Sequence, residues 1–163
     1  MYNLIVTAYR NEGRLLQREL GKLGKFRKTK FRDVLVGTVD DLKVFLDVVS
    51  EEPPLALARV VPVLEAIEFS KPEALLKVLE TKVLEHEFKG SFKMIIERRG
   101  WKGEINSMVW AKKLGALVDE HNDNKVDLTD PDVLFVVSIM SDTCAISVLT
   151  REMRDEYFFV NSK

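Results

Sequence analysis

A chain of 163 residues has room for one large domain or two small ones sharing a core. Apolar residues make up 46% and charged residues 31%, and no stretch approaches the run of roughly 18–20 apolar residues that a membrane helix needs. The net charge of −1 conceals a polarity: residues 1–32 hold nine basic side chains against two acidic ones, which is +7 and leaves −8 for the remainder.

Asn3–Ala8 alternates and predicts a strand rather than the basic opening of a signal peptide. Asn11 is placed to cap a helix in which Leu16, Leu20 and Leu23 share one face, with Gly21 and Gly24 weakening its end. The basic run Lys22–Arg32 follows, then a second strand at Val34–Val36. Thr38 is a good N-cap for a helix whose apolar stripe is Leu42, Phe45, Leu46 and Val49, and Glu51-Glu52-Pro53-Pro54 ends it. Leu57–Phe69, interrupted by Pro62, predicts one or two short strands. Strand–helix–strand–helix–strand across residues 3–69 suits a small ferredoxin-like unit.

Ser70-Lys71-Pro72-Glu73 reads as a capping box with proline in the first helical turn, and Leu76, Leu79 and Val83 form the buried face behind it. This cap marks the expected division into residues 1–69 and 70–163. Ser91–Arg99 predicts a strand with Phe92, Met94 and Ile96 on one side, Lys93 and Glu97 on the other, and Arg98-Arg99 at its end. A helix with Trp110, Leu114, Leu117 and Val118 on one stripe comes next. Val133–Val137 is a continuous apolar run, expected for a central strand buried on both faces. Ser141-Asp142 then turns the chain into Cys144–Leu149 as a hairpin.

Chemistry that needs clustered ligands or nucleophiles finds few residues to work with. The two histidines, His86 and His121, stand apart, and Cys144 lies inside a predicted strand, so no spacing offers the three or four ligands of a zinc site. Walker A, G-x-G-x-x-G and zinc-deaminase signatures are missing. Asp130-Pro131-Asp132 has an acidic-proline character like that of amino-methyltransferases, without their second proline and aromatic residue. The expectation is a protein without metal, cofactor or catalytic residues. A single cysteine fits a reducing cytoplasm and excludes an internal disulfide framework.

Two segments carry positive chemistry. Lys22–Arg32 holds six cations (Lys25, Arg27, Lys28, Lys30 and Arg32 among them), no acids, and the aromatic residues Phe26 and Phe31. Cations neutralise phosphates and rings stack on unpaired bases; the competing reading is a solvated loop that the two phenylalanines anchor to the core. Arg98-Arg99-Gly100-Trp101-Lys102 sits where a strand feeds a helix, and guanidinium forks beside free backbone N–H groups make a phosphate site. The alternative there is that Arg98 pairs with an acid and Trp101 covers the edge of the core.

Ser91–Val148 resembles a THUMP domain. The matching features are the strand Phe92–Arg99, Ser107 with Gly115 eight residues on, Val126-Asp127-Leu128 followed by Pro131, and the two closing strands. Asn124–Pro131 is especially similar to the stand-alone THUMP proteins that assist a tRNA cytidine acetyltransferase making N4-acetylcytidine, and Asn3–Thr7 resembles their beginning. The resemblance implies an α+β fold in which an N-terminal ferredoxin-like unit packs on a THUMP domain, with a mixed curved sheet and helices on one side. It implies a non-catalytic adaptor whose partners are tRNA, held by its acceptor end, and a separate acetyltransferase. Arg98 and Arg99 match the basic end of the first THUMP strand, whereas Lys25–Arg32 is assigned to RNA on charge alone. Ser107 is the expected N-cap of its helix, although Glu104 leaves an earlier start open. Gly115 would let that helix approach the sheet closely, and Asp127 and Pro131 would shape the turn into the central strand. A subunit serving a thiolating or methylating enzyme, and a protein-interaction module without an RNA role, are the rival readings.

Overall fold

Alternating and continuous apolar runs are resolved into two four-stranded sheets in the computed structural model, which describes residues 1–162 as an α+β protein. The residues group into two units, Met1–Val63 with Glu152–Ser162, and Leu64–Arg151.

The first unit runs β1 (Leu4–Ala8), α1 (Gly13–Leu20), β2 (Lys25–Lys28), β3 (Val34–Thr38), α2 (Leu42–Glu51) and β4 (Leu57–Pro62). Its sheet has the order β2-β3-β1-β4 with every pair antiparallel, which is the ferredoxin-like βαββαβ arrangement. Leu16 and Leu20 of α1, and Phe45, Leu46 and Val49 of α2, are buried, as the apolar spacing predicts. Leu23 lies beyond the end of α1 and is only half-buried.

The helix caps differ from expectation. Asn11 adopts a φ of 65° two residues before α1, and the first-turn amide of Gly13 is satisfied from across the fold by Asp33 Oδ1 at 3.1 Å. Thr38 is taken by the ladder opposite Lys25, so Asp41 caps α2 and accepts from Val44 N at 3.1 Å. A cap must stand where the chain turns into the helix, and the preceding strand decides where that is.

Pro62 separates two strands that belong to different sheets. β5 (Glu65–Glu68) pairs with β8 (Thr143–Thr150), so the units divide at Val63/Leu64, before the expected junction at residues 69 and 70. Beyond α5 (Arg151–Glu156) the chain returns to the first unit, where Tyr157, Phe159 and Val160 are buried and Val60 N donates to Phe159 O at 2.9 Å. The expected second domain of residues 70–163 therefore gives up its tail because these side chains complete the core beside β4.

The second unit holds β5, α3 (Pro72–Lys82), β6 (Phe92–Arg99), α4 (Ser107–Asn122), β7 (Val133–Met140) and β8, with sheet order β5-β8-β7-β6. β6 and β7 are parallel and α4 is their crossover, while β7 and β8 form the expected antiparallel hairpin through Ser141 at φ 57°. Every residue of β7 is buried, as befits the central strand. One core joins Leu75, Leu79, Leu114 and Val118 of the helices to Phe92 and Phe135 of the sheet.

Pro72 opens α3 as expected, but Lys71 occupies the N-cap without a side-chain bond, and the buried face turns to Leu75 and Leu79, with Leu76 only partly covered. Asn106, not Ser107, caps α4, accepting from Val109 N at 3.1 Å. Asp127 Oδ1 accepts from Thr129 N at 2.9 Å and Asp130 N at 3.0 Å, making the turn that leads into β7. Cys144 is buried, and burial pushes its thiol up to about 12, so it behaves as a small apolar residue. Among the described residues no helix is long and apolar enough to cross a membrane, and no group of acidic, histidine and cysteine side chains is placed to hold a metal.

Candidate nucleic-acid interface

β2 is the strand that periodicity did not anticipate, and it is made of the basic run. Phe26 alone points inward: its ring lies 5.9 Å from that of Phe45 and across Gly37, where a Cβ would overlap it. Gln17 Nε2 donates to Phe26 O at 3.0 Å and so satisfies a carbonyl of the edge strand. The pleat then sends Lys25 and Arg27 to the opposite face, exposed. Charges in that position also discourage strand-to-strand pairing at an open edge.

The connection from β2 to β3 is tied down by three polar side chains. Thr29 Oγ1 donates to Val34 O at 2.8 Å and accepts from Phe31 N at 3.1 Å. Asp33, at φ 63°, accepts from Asn11 N at 2.9 Å through its second carboxylate oxygen, beside its bond to Gly13 N. Arg32 Nη1 donates to Asn11 Oδ1 at 3.0 Å. Together these bonds join the hairpin to the β1–α1 loop around an open cleft of about 430 Å³. Arg14, Lys28, Lys30 and Arg32 line it, with Phe31 and Asp33 between them. Four cations against one acid give the lining a net charge of +3.

The fold thus divides the run that charge alone could not. Lys28, Lys30 and Arg32 enter the cleft; Lys25 and Arg27 lie outside its lining. Of the two aromatics, Phe26 anchors the strand while Phe31 reaches the cleft. Sequence reasoning missed Arg14, which comes from α1 and meets the hairpin only in three dimensions. The excess of arginine over acid in residues 1–32 was the available signal.

In the second unit the basic cluster is dispersed. Arg98 and Arg99 end β6 on opposite faces. Arg98 is half-buried and its guanidinium donates to Gly100 O. Arg99 turns to the face of Glu97, with 3.9 Å between Nη1 and Oε2 and side chains only 15% and 6% exposed. Trp101 adopts a φ of 58°, packs its ring 5.7 Å from Phe69 and donates its indole N–H to Ser141 O. It covers the edge of the core. Lys102 is exposed, and residues 103–106 separate it from α4, whose first-turn amide at Val109 already bonds Asn106. The amide of Val109 is thus taken by the helix's own cap.

The first unit is a βαββαβ sheet and the second a mixed sheet with a parallel crossover, and residues 72–149 match the family model of the THUMP domain. That segment is the part of the chain that is similar to THUMP domains. Solved structures share the fold at low identity. TrmN from Thermus thermophilus is 18% identical, with a TM-score of 0.73 over 91% of this chain and 45% of that one. PH1313 from Pyrococcus horikoshii Ot3 is 13% identical, with a TM-score of 0.65 over 91% of this chain and 54% of that one. A 4-thiouridine synthetase solved as an RNA complex with bound ATP is 14% identical, with a TM-score of 0.58 over 91% of this chain and 41% of that one. The chain thus spans about half, or less, of the length of these structures. No curated protein matches it.

Proposed function

We propose that this protein binds tRNA by its acceptor end and presents it to a separate cytidine acetyltransferase in the cytoplasm, contributing no catalytic residue itself. The observation that carries the RNA reading is the cleft in which Arg14, Lys28, Lys30 and Arg32 surround a half-buried ring. Cations supply affinity through phosphate neutralisation, and an aromatic ring in the lining serves an unpaired base by stacking. The resemblance of Asn124–Pro131 to stand-alone adaptors supports the acetyltransferase as the partner.

Salt titration of tRNA binding tests the first half. Phosphate contact by these cations predicts that log K falls linearly with log salt. Binding that is absent or indifferent to salt would count against any RNA role and favour a protein-interaction module. The second half is tested by co-purification and by measuring modified nucleosides in a deletion strain; loss of N4-acetylcytidine is expected. A second reading has the fold neighbours behind it: their names include a thiouridine synthetase. Recovery of a thiolating or methylating enzyme in place of an acetyltransferase would establish that reading instead.

A further inference from the structure

We infer that the cleft of the first unit selects a terminal 5′-phosphate of RNA over an internal phosphodiester. This rests on the RNA-binding reading above and adds which phosphate is held. An internal phosphodiester carries one charge and has a ribose on each side, so a row of surface cations suits it. A terminal phosphate has three unesterified oxygens and approaches two negative charges near neutral pH. Here the cations are not in a row. Arg14 comes from α1, Lys28 from β2, and Lys30 and Arg32 from the hairpin turn, and they line one concavity of about 430 Å³, within the usual size of a small-ligand pocket.

Two further features fit a chain end. The turn is held in place before any ligand arrives, by Thr29 to Val34 O and by Asp33 to the amides of Asn11 and Gly13. Arg32 is oriented by Asn11 Oδ1, which leaves its remaining N–H groups for a phosphate oxygen. Phe31 supplies a ring in the same lining, and the first base of a 5′ end is the base nearest the phosphate. Stacking of that kind tolerates any base, so the selection is for the terminus and not for a sequence.

The shared chemistry, a nucleotide 5′-phosphate, also occurs in free nucleotides, and the test separates the two sources. Two acceptor-stem RNAs of one sequence, labelled at the 3′ end and bearing either a 5′-monophosphate or a 5′-hydroxyl, are titrated with the full chain by fluorescence anisotropy. At pH 7.5 the phosphorylated RNA should bind about five- to tenfold more tightly, from the extra charge neutralised. That advantage should shrink below about pH 6, where the phosphate takes up its second proton. Arg14→Gln and Lys30→Gln, both at exposed positions, should each reduce the advantage while leaving the thermal melt in place. Phe31→Leu should weaken both RNAs alike.

Equal affinity for the two RNAs would overturn the inference and leave RNA binding standing. An advantage that survives both glutamine variants would overturn it as well, by locating the phosphate elsewhere. Failure of both RNAs to bind would remove the inference and the RNA reading together. Adenosine 5′-monophosphate should displace the phosphorylated RNA only at far higher concentration; if it binds as tightly as that RNA, the cleft is a free-nucleotide site.

Discussion

Gly115 lies buried in α4 beside β6, and a Cβ built there would stand 3.5 Å from Met94 Cβ, an ordinary van der Waals separation. Close approach of helix and sheet therefore does not require glycine. Gly115→Ala should raise stability by about 0.5–1 kcal/mol through helix propensity, read from a denaturant midpoint; a fall would mean the helix sits closer than its backbone indicates. Arg98 and Arg99, adjacent in sequence, should part company on substitution. Arg99→Ala removes a largely covered aliphatic stem and a charge beside Glu97, and should cost roughly 1–2 kcal/mol. Arg98→Ala should stay within about 0.5–1 kcal/mol, because its guanidinium bonds only its own turn. Urea unfolding of the two variants decides between these behaviours.

Among the elements, β2 links a core residue to the site. Phe26→Ala touches no ligand, yet it should release the edge strand and weaken RNA binding. The ring is only half-buried, so the cost should fall below the roughly 3–5 kcal/mol of a fully buried phenylalanine. An affinity unchanged in that variant would show that the hairpin keeps its shape without the anchor. The segment between α4 and β7 should respond to acid. Hydrogen bonds from Ser91 N hold the Asp132 carboxyl below the usual carboxylate range, and those from Asp130 N and Thr129 N do the same for Asp127. Both groups have a lower pKa folded than unfolded, so their stabilisation is complete above the ordinary carboxylate value and is lost as pH falls through the folded one. Stability should decline below about pH 4, and Asp132→Asn should flatten that acid limb in urea midpoints taken from pH 3 to 6. Caps were the least legible feature at this scale. Asn11, Thr38, Ser70 and Ser107 all have the right chemistry, but helix entry is set by strand length and, at α1, by a carboxylate twenty residues away.

For the whole molecule, the division at Val63/Leu64 and the return of residues 152–162 matter most. Tyr157, Phe159 and Val160 are 4%, 2% and 1% exposed, and Tyr157 donates its hydroxyl to Asp47. Burial of each such side chain contributes about 1.5–3 kcal/mol. A chain truncated after Arg151 should therefore lose most of the protection of its β1 and β4 amides in hydrogen exchange, since a small domain has roughly 5–15 kcal/mol in all. Protection that persists would show that the tail is dispensable to the first unit. Charge at this scale was visible from the start: the +7 of residues 1–32 belongs to the unit that holds the cleft.

Composition and periodicity by themselves determined the strands and helices with several apolar positions, the buried run Val133–Val137 of the central strand, and the concentration of positive charge near the N-terminus. The segment Ser91–Val148 also carried its own resemblance, which implied the α+β fold, because its turns depend on local residues such as Asp127 and Pro131. Tertiary structure decided the rest. β2 offers one inward side chain in four, too few for a period, and becomes a strand because Phe26 finds Phe45 and the open backbone of Gly37. Arg14 joins Lys28, Lys30 and Arg32 because Asp33 ties the hairpin to the start of α1. Charge is a property of the sequence, but its convergence on one cleft depends on which loops the fold places side by side.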